Sequence, residues 1–158
     1  MKFITHTELN DLCRKAGQLP RKRTNFNVHQ QASDPVQRLF VSADISSYFR
    51  PHRHPRSWEF AVVLKGRFDL LVFDDRGRLT HRLELGPEAG TAAFELPENT
   101  WHTWIPRENG SLFFECKKGP YDPATSAEFA PWAPEEGLPA VEAFADRLMH
   151  LAVGDCPA

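Results

Sequence analysis

Apolar and polar positions change period several times along the chain. Leu9, Leu12, Cys13 and Ala16 recur at three- and four-residue intervals, which predicts a short amphipathic helix capped by Thr7 and stopped at Gly17. Residues 18–35 show no period and read as an irregular basic arm containing Arg21, Lys22, Arg23, Asn25, Asn27 and His29. From Gln37 the pattern becomes short and β-like, with extended segments expected over 38–43, 58–64, 68–73, 78–85, 91–96 and 112–117, and a shorter one at 103–106. Asp74, Asp75, Arg76 and Gly77 are turn formers suited to a hairpin between two of them. After Gly119 the chain is rich in Pro and Ala, which predicts a strap over the barrel with Phe129 and Trp132 packed beneath it. Val141, Phe144, Leu148 and Leu151 then fall on one face of a helix over 140–151.

Six or more short strands separated by Pro, Gly, Asp and Asn predict an all-β, closed or two-layered antiparallel fold. The middle of the chain has no helical segment long enough for βαβ crossovers, which excludes a doubly wound nucleotide-binding fold. With 158 residues, one domain is expected: an N-terminal helix and arm at 1–35, a barrel at 36–120, and a strap with helix at 121–158. A composition 41% hydrophobic, including twelve Phe and four Trp, can build a core without disulfide staples. Cys13, Cys116 and Cys156 are odd in number and lack CxxC or CxxH spacing, which argues against a disulfide framework and a cysteine-built zinc knuckle.

A net charge of -2 gives no reason to expect nucleic acid as a partner. The charge is unevenly spread, with ten basic and five acidic residues over 1–60 against one and seven over 121–158. The two ends are therefore free to attract each other, within one fold or across a homodimer, and a homodimer is expected. No stretch approaches the roughly 20 apolar residues of a membrane span, and the N-terminus lacks the apolar core of a signal peptide, so a cytoplasmic location is expected.

The candidate chemistry lies in PHRHPRSWEFAVVLKGRF at 51–68 and LPENTWH at 96–102. In an extended segment His52 and His54 point to the same side, and the next strand can return Glu59 toward them. His102 is a distant third imidazole that a barrel can bring alongside. Three imidazoles and a carboxylate suit one divalent transition metal, Fe, Mn, Zn, Ni or Co, with positions left open for water or substrate. A surface turn that happens to hold two His and two Arg satisfies the same spacing.

These segments resemble the two cupin motifs. HxHx4Ex6G is matched by His52, His54, Glu59 and Gly66, and the second motif by Pro97 and His102. The glycine usual ahead of the first histidine is Ser46 here, and the glycine of the second motif is Asn99, a residue that tolerates positive φ. A narrower resemblance runs through RKRTNFNVH (21–29), QRLFVSA (37–43), SSYFRPHRH (46–54), FDDRGRL (73–79), FECKKGPYDP (114–123) and FAPWAPEEG (129–137), which together look like the WbuC-type cupin-fold metalloproteins. That resemblance implies a jelly-roll barrel, a double-stranded β-helix, with one metal held by His52, His54, Glu59 and His102. It also implies a setting in bacterial O-antigen and other surface polysaccharide metabolism, without an assigned reaction. The expected function is a metal-dependent enzyme acting on a sugar or related polar molecule; the alternatives are a non-catalytic sugar or metal sensor and a metal-dependent oxygenase.

Around the ligands, Asn27 and His29 share one side of the arm and could contact an oxygen-rich substrate. Arg50 lies on the face of the histidines, where its guanidinium suits a carboxylate, a phosphate or Glu59, whereas Arg53 points away. Phe113, Glu115 and Lys117 alternate with Leu112, Phe114 and Cys116, and which face is inward is open. If it is the first, Glu115 needs a partner, which Lys117 supplies. Glu115 and His29 are thus the candidate proton-transfer residues, and Asn27, Arg50 and Lys117 the candidate substrate contacts. Trp101, Trp104 and Tyr48 read as barrel wall, and Cys116 as a small buried apolar residue.

Overall fold

The fold is taken from a computed structural model that describes residues 1–157. Helix α1 spans His6–Gln18, and its cap is Thr5, not Thr7: the Thr5 hydroxyl accepts from the Glu8 backbone N–H while Glu8 reaches back to the Thr5 N–H, a reciprocal capping box that satisfies two otherwise unpaired donors. Gly17 does not stop the helix, which runs on to Gln18.

Ten strands follow: β1 (Arg23–Asn27), β2 (Val36–Ala43), β3 (His52–Arg53), β4 (Glu59–Lys65), β5 (Phe68–Phe73), β6 (Leu79–Leu85), β7 (Ala93–Leu96), β8 (Trp101–Pro106), β9 (Ser111–Lys118) and β10 (Glu128–Phe129). Helix α2 spans Ala140–His150. They form two antiparallel five-stranded sheets, β1-β2-β9-β4-β7 and β10-β3-β8-β5-β6, packed face to face as a cupin jelly roll. The arm thought to be irregular contributes β1, which pairs along its whole length with β2 from Arg23 opposite Ala43 to Asn27 opposite Leu39. Its side chains alternate poorly in hydrophobicity, which hid the strand, yet Phe26 packs with Leu12, Cys13 and Leu112 under α1.

Between the sheets lie Val41, Ala61, Val63, Phe68, Leu70, Phe94, Trp104 and Phe113, with the Trp104 and Phe113 rings stacked at 4.1 Å. Strands β5 and β8 are buried on both faces, because Leu71, Phe73, Trp101 and Ile105 point outward into a second apolar layer with Tyr48, Phe144 and Leu148. That layer is closed by the strap through Ala130 and Ala133. Trp132 is half-buried against Phe73, but Phe129 is 52% exposed, contrary to the packed position expected for it. The reason is that β10 pairs with β3, which turns Ala130 inward and leaves the Phe129 ring at the rim, 6.2 Å from the His52 ring. Among the described residues, no helix is long and apolar enough to cross a membrane.

Candidate metal centre

The second sheet aligns the imidazoles. His52 on β3 sits directly opposite His102 on β8, with ring centroids 4.4 Å apart, and His54 follows where β3 gives way to a turn, 5.0 Å from His52 and 5.6 Å from His102. One ligand nitrogen from each of the three lies within 4.8 Å of the others. Asn99, in the turn before β8, takes φ 67°, the left-handed conformation that the missing glycine would have supplied. Its N–H is anchored on the His54 carbonyl at 2.8 Å.

Each Nδ1 faces a backbone carbonyl: Arg50 O at 3.0 Å for His52, Ser126 O at 2.6 Å for His54, and Thr100 O at 2.9 Å for His102. A carbonyl only accepts, so each Nδ1 carries the proton and each Nε2 keeps a free lone pair. Nε2 of His54, Nε2 of His102 and Oε1 of Glu59 are buried without a hydrogen-bond partner. Glu59 on β4 brings its Oε2 to 3.1 Å from His54 Nε2 and 3.7 Å from His102 Nε2; the first contact has the length of a hydrogen bond without its alignment, and the second is too long. Buried orphan acceptors converging on one point fit a cation there and would be costly otherwise.

The charge states agree with a ligand set. Burial first, then the neighbouring His102 and His54, push His52 well below its ordinary value, which leaves it neutral. Burial alone would raise Glu59, but the two imidazoles and the Lys117 charge outweigh it and hold the carboxyl well below the usual range. Burial would likewise lower His102, but the Glu59 carboxylate outweighs it and raises the value, so a metal held there would compete with a proton. Neutral imidazole and carboxylate donors form a candidate divalent-metal site of the kind cupins carry.

The first sheet supplies a polar wall beside it. Lys117 lies opposite Glu59 on one side and Gln37 on the other, while Glu115 lies between Leu39 and Ala61. Strand pairing thus turns Phe113, Glu115 and Lys117 inward, which sequence alternation left open. Lys117 Nζ stands 2.5 Å from Glu115 Oε1, although the approach is not aligned as a hydrogen bond. Burial would lower Lys117, but the Glu115 and Glu59 charges raise it, so it remains an ammonium. Glu115 is raised by burial and then by Glu59.

Two clefts reach ligands of this centre and another meets it through Lys117. One of about 400 Å³ is lined by His54, Lys117, Tyr121 and Ser126, and one of about 490 Å³ by Asn27, His29, Gln37, Lys117 and Tyr121. A third, of about 350 Å³, is lined by Arg21, Arg23, Arg50, His52, Phe129 and Glu136. Asn27, His29 and Lys117 therefore share a cleft, Arg50 stands in a different one beside His52, and Glu115 is buried below Lys117. Arg53 points outward as expected, paired with Glu128 at 2.8 Å and stacked over Trp101 at 4.4 Å. Tyr121, an aromatic that the sequence leaves open between sugar contact and packing, lines two of the clefts. Gln37 and the Ser126 carbonyl were not foreseen: Gln37 shares the inward phase of Leu39 and Val41, which is a legible signal, whereas nothing in the strap's sequence marks the carbonyl.

A cupin-like jelly roll with a candidate divalent-metal site is what fold and site define. Residues 4–85 match the family described as a domain of unknown function, DUF6016, and the chain belongs to that family. Comparison with curated proteins gives no match. Among solved structures, KdgF from Halomonas sp. is 21% identical, over 66% of this chain and 84% of that one, with a TM-score of 0.52. An oxalate oxidase in complex with the substrate analogue glycolate is 18% identical over 72% of this chain and 57% of its own, at 0.54. Protein SO0799 from Shewanella oneidensis is 13% identical over 83% and 87%, at 0.57. These likenesses extend the fold.

Proposed function

We propose that the protein is a WbuC-type, metal-dependent enzyme that acts on a sugar or related polar small molecule in bacterial surface polysaccharide (O-antigen) metabolism, and that it works as a homodimer. The observation that carries this reading is the convergence of buried, partnerless His and Glu ligand atoms beside two clefts, one lined by His54 and the other by His52. A divalent ion held by His52, His54, Glu59 and His102 would polarise a carbonyl or hydroxyl oxygen of the substrate.

The chain's own groups divide the remaining work. Lys117, an ammonium shared by two clefts, offers donors to substrate oxygens, and Glu115 beneath it fixes its position. Asn27 lines the same cleft, and Arg50 binds from the third. His29 Nδ1 lies 3.0 Å from both the N–H and the carbonyl oxygen of Arg38, which leaves Nε2 as the position able to exchange a proton with a ligand in that cleft. Glu115 is the second candidate for proton transfer, acting through Lys117.

The test is to purify the protein without a histidine tag, measure its metal by elemental analysis, and incubate it with a panel of neutral and acidic sugars. Metal-dependent conversion of one of them, abolished in His54→Ala, is the expected result. Sugar binding without turnover in the metal-loaded protein would replace the enzyme with a sensor.

A further inference from the structure

The third cleft holds a feature that the metal centre does not use. Glu136, in the strap, receives four hydrogen bonds from two guanidinium groups: Arg21 Nε and Nη2 at 2.8 and 2.7 Å, and Arg23 Nη1 and Nη2 at 2.9 and 3.0 Å. Each carboxylate oxygen is thus bound by both arginines, as a ligand's carboxylate would be in a built oxyanion seat. The seat is rigid. Arg23 begins β1, its side chain is only 13% exposed, it donates to the Tyr48 carbonyl at 2.7 Å, and it lies over the Phe49 ring at 4.7 Å. The occupant is not rigid in the same way: residues 135–140 are all exposed, and Gly137 takes φ 88° with no atom near enough to meet a Cβ.

Arg50 completes the cleft. Its guanidinium lies over Phe129 at 5.1 Å and donates through Nε to Ala133 O at 3.2 Å, while its nearest carboxylate, the well exposed Glu135, is 3.7 Å away. His52, one of the metal-site imidazoles, lines the same cleft. Three guanidinium groups, one carboxylate clasped by two of them and an aromatic edge therefore stand at the door of the metal centre.

We propose that this cleft is an anion subsite, in which a hydroxylated carboxylate ligand sits on Arg21, Arg23 and Arg50 and Glu136 is the removable occupant that holds the seat in its absence. The inference rests on the function proposed above in one respect, that the ligand extends toward the metal at His52. Displacing Glu136 exchanges one carboxylate for another on the same two guanidinium groups, so the hydrogen bonds lost and gained largely offset, and the turn that must move, residues 135–140, is exposed. The Ala130 and Ala133 contacts that close the apolar layer lie outside that turn.

The test uses D-glucuronate, with D-glucose as the uncharged control, titrated by calorimetry into the full chain at low salt. Glucuronate is expected to bind the native protein, to bind Glu136→Gln roughly tenfold more tightly, and to lose affinity in Arg50→Ala with metal content unchanged. Glucose should show no gain in Glu136→Gln. Equal affinity of glucuronate for native protein and Glu136→Gln, equal binding of the two sugars, or undiminished binding in Arg50→Ala would each overturn the subsite. Repeating the titration on metal-free His54→Ala separates the two readings: glucuronate binding that survives there supports the arginine seat even if the metal chemistry fails, and absence of metal from the native protein counts only against the function.

Discussion

At the residue scale the site is decided by which imidazole nitrogen is free. Backbone carbonyls of Arg50, Thr100 and Ser126 accept hydrogen bonds from all three Nδ1–H groups, so the lone pairs are presented on Nε2, on the side where Glu59 stands. His52→Ala, His54→Ala and His102→Ala are each expected to lose most bound transition metal, tenfold or more in affinity, while His81→Ala on the exposed face of β6 should keep it; elemental analysis after dialysis reads the difference. Gly66 shows a second residue-scale constraint. It takes φ 68°, and a Cβ there would meet Ser111 Oγ at 2.2 Å and Ser111 Cα at 3.0 Å, so relaxation of a side chain cannot relieve it. Gly66→Ala is expected to cost on the order of 2–3 kcal/mol in urea unfolding, from backbone strain plus overpacking.

At the scale of elements the strap is the part that links site and fold. Ser126 O orients His54, the β10 pairing sets Phe129 beside His52, and Tyr48 Oη donates to Pro134 O at 3.0 Å. An ion on His54 Nε2 makes Nδ1–H a stronger donor to Ser126, so metal binding and strap docking should reinforce each other. Addition of Zn or Mn is expected to slow proteolysis within 121–129 severalfold, and the same addition to His54→Ala should not. The clasp gives this element a pH dependence. Burial alone would raise the Glu136 carboxyl, but the hydrogen bonds from Arg21 and Arg23 outweigh it and hold it below its usual value. A group depressed on folding contributes stability that is fully present above its unfolded value and is lost as pH falls through the folded one. Native protein should therefore lose stability more steeply than Glu136→Gln as the pH is lowered through the carboxylate range, as read by thermal unfolding.

For the whole molecule, each sheet is covered on its outer face by one terminal segment, α1 over β1 and β2 and the strap with α2 over β5 and β8. That leaves sheet edges at β1, β7, β6 and β10. Edges of this kind are commonly closed by a second copy, and an isologous contact centred on apolar surface survives salt that screens exposed charges. Light scattering at micromolar protein and about 0.3 M salt is expected to give a mass twice that of the chain; a monomer mass across a tenfold concentration range would return the uneven charge to contacts within one fold, of which the pairing of Arg21 and Arg23 with Glu136 is an example.

What the sequence by itself determined was whatever local period and spacing encode. Strands β2 and β4 to β9 follow from short apolar alternation, the terminal helix from Val141, Phe144 and Leu148, and the candidate ligand set from the two spaced motifs, including the tolerance of Asn99 for positive φ. The tertiary structure alone decided questions that depend on register between distant segments. Pairing of β9 with β2 and β4 turned Glu115 and Lys117 inward, pairing of β1 with β2 made a strand of an apparently irregular arm, and pairing of β10 with β3 exposed Phe129. The Ser126 carbonyl beside His54 and Glu136 between two arginines lie 72 and up to 115 residues from their partners. A carbonyl carries no side-chain signature at all, and one glutamate among seven acidic residues over 121–158 becomes distinct only when the chain's return path sets it against Arg21 and Arg23.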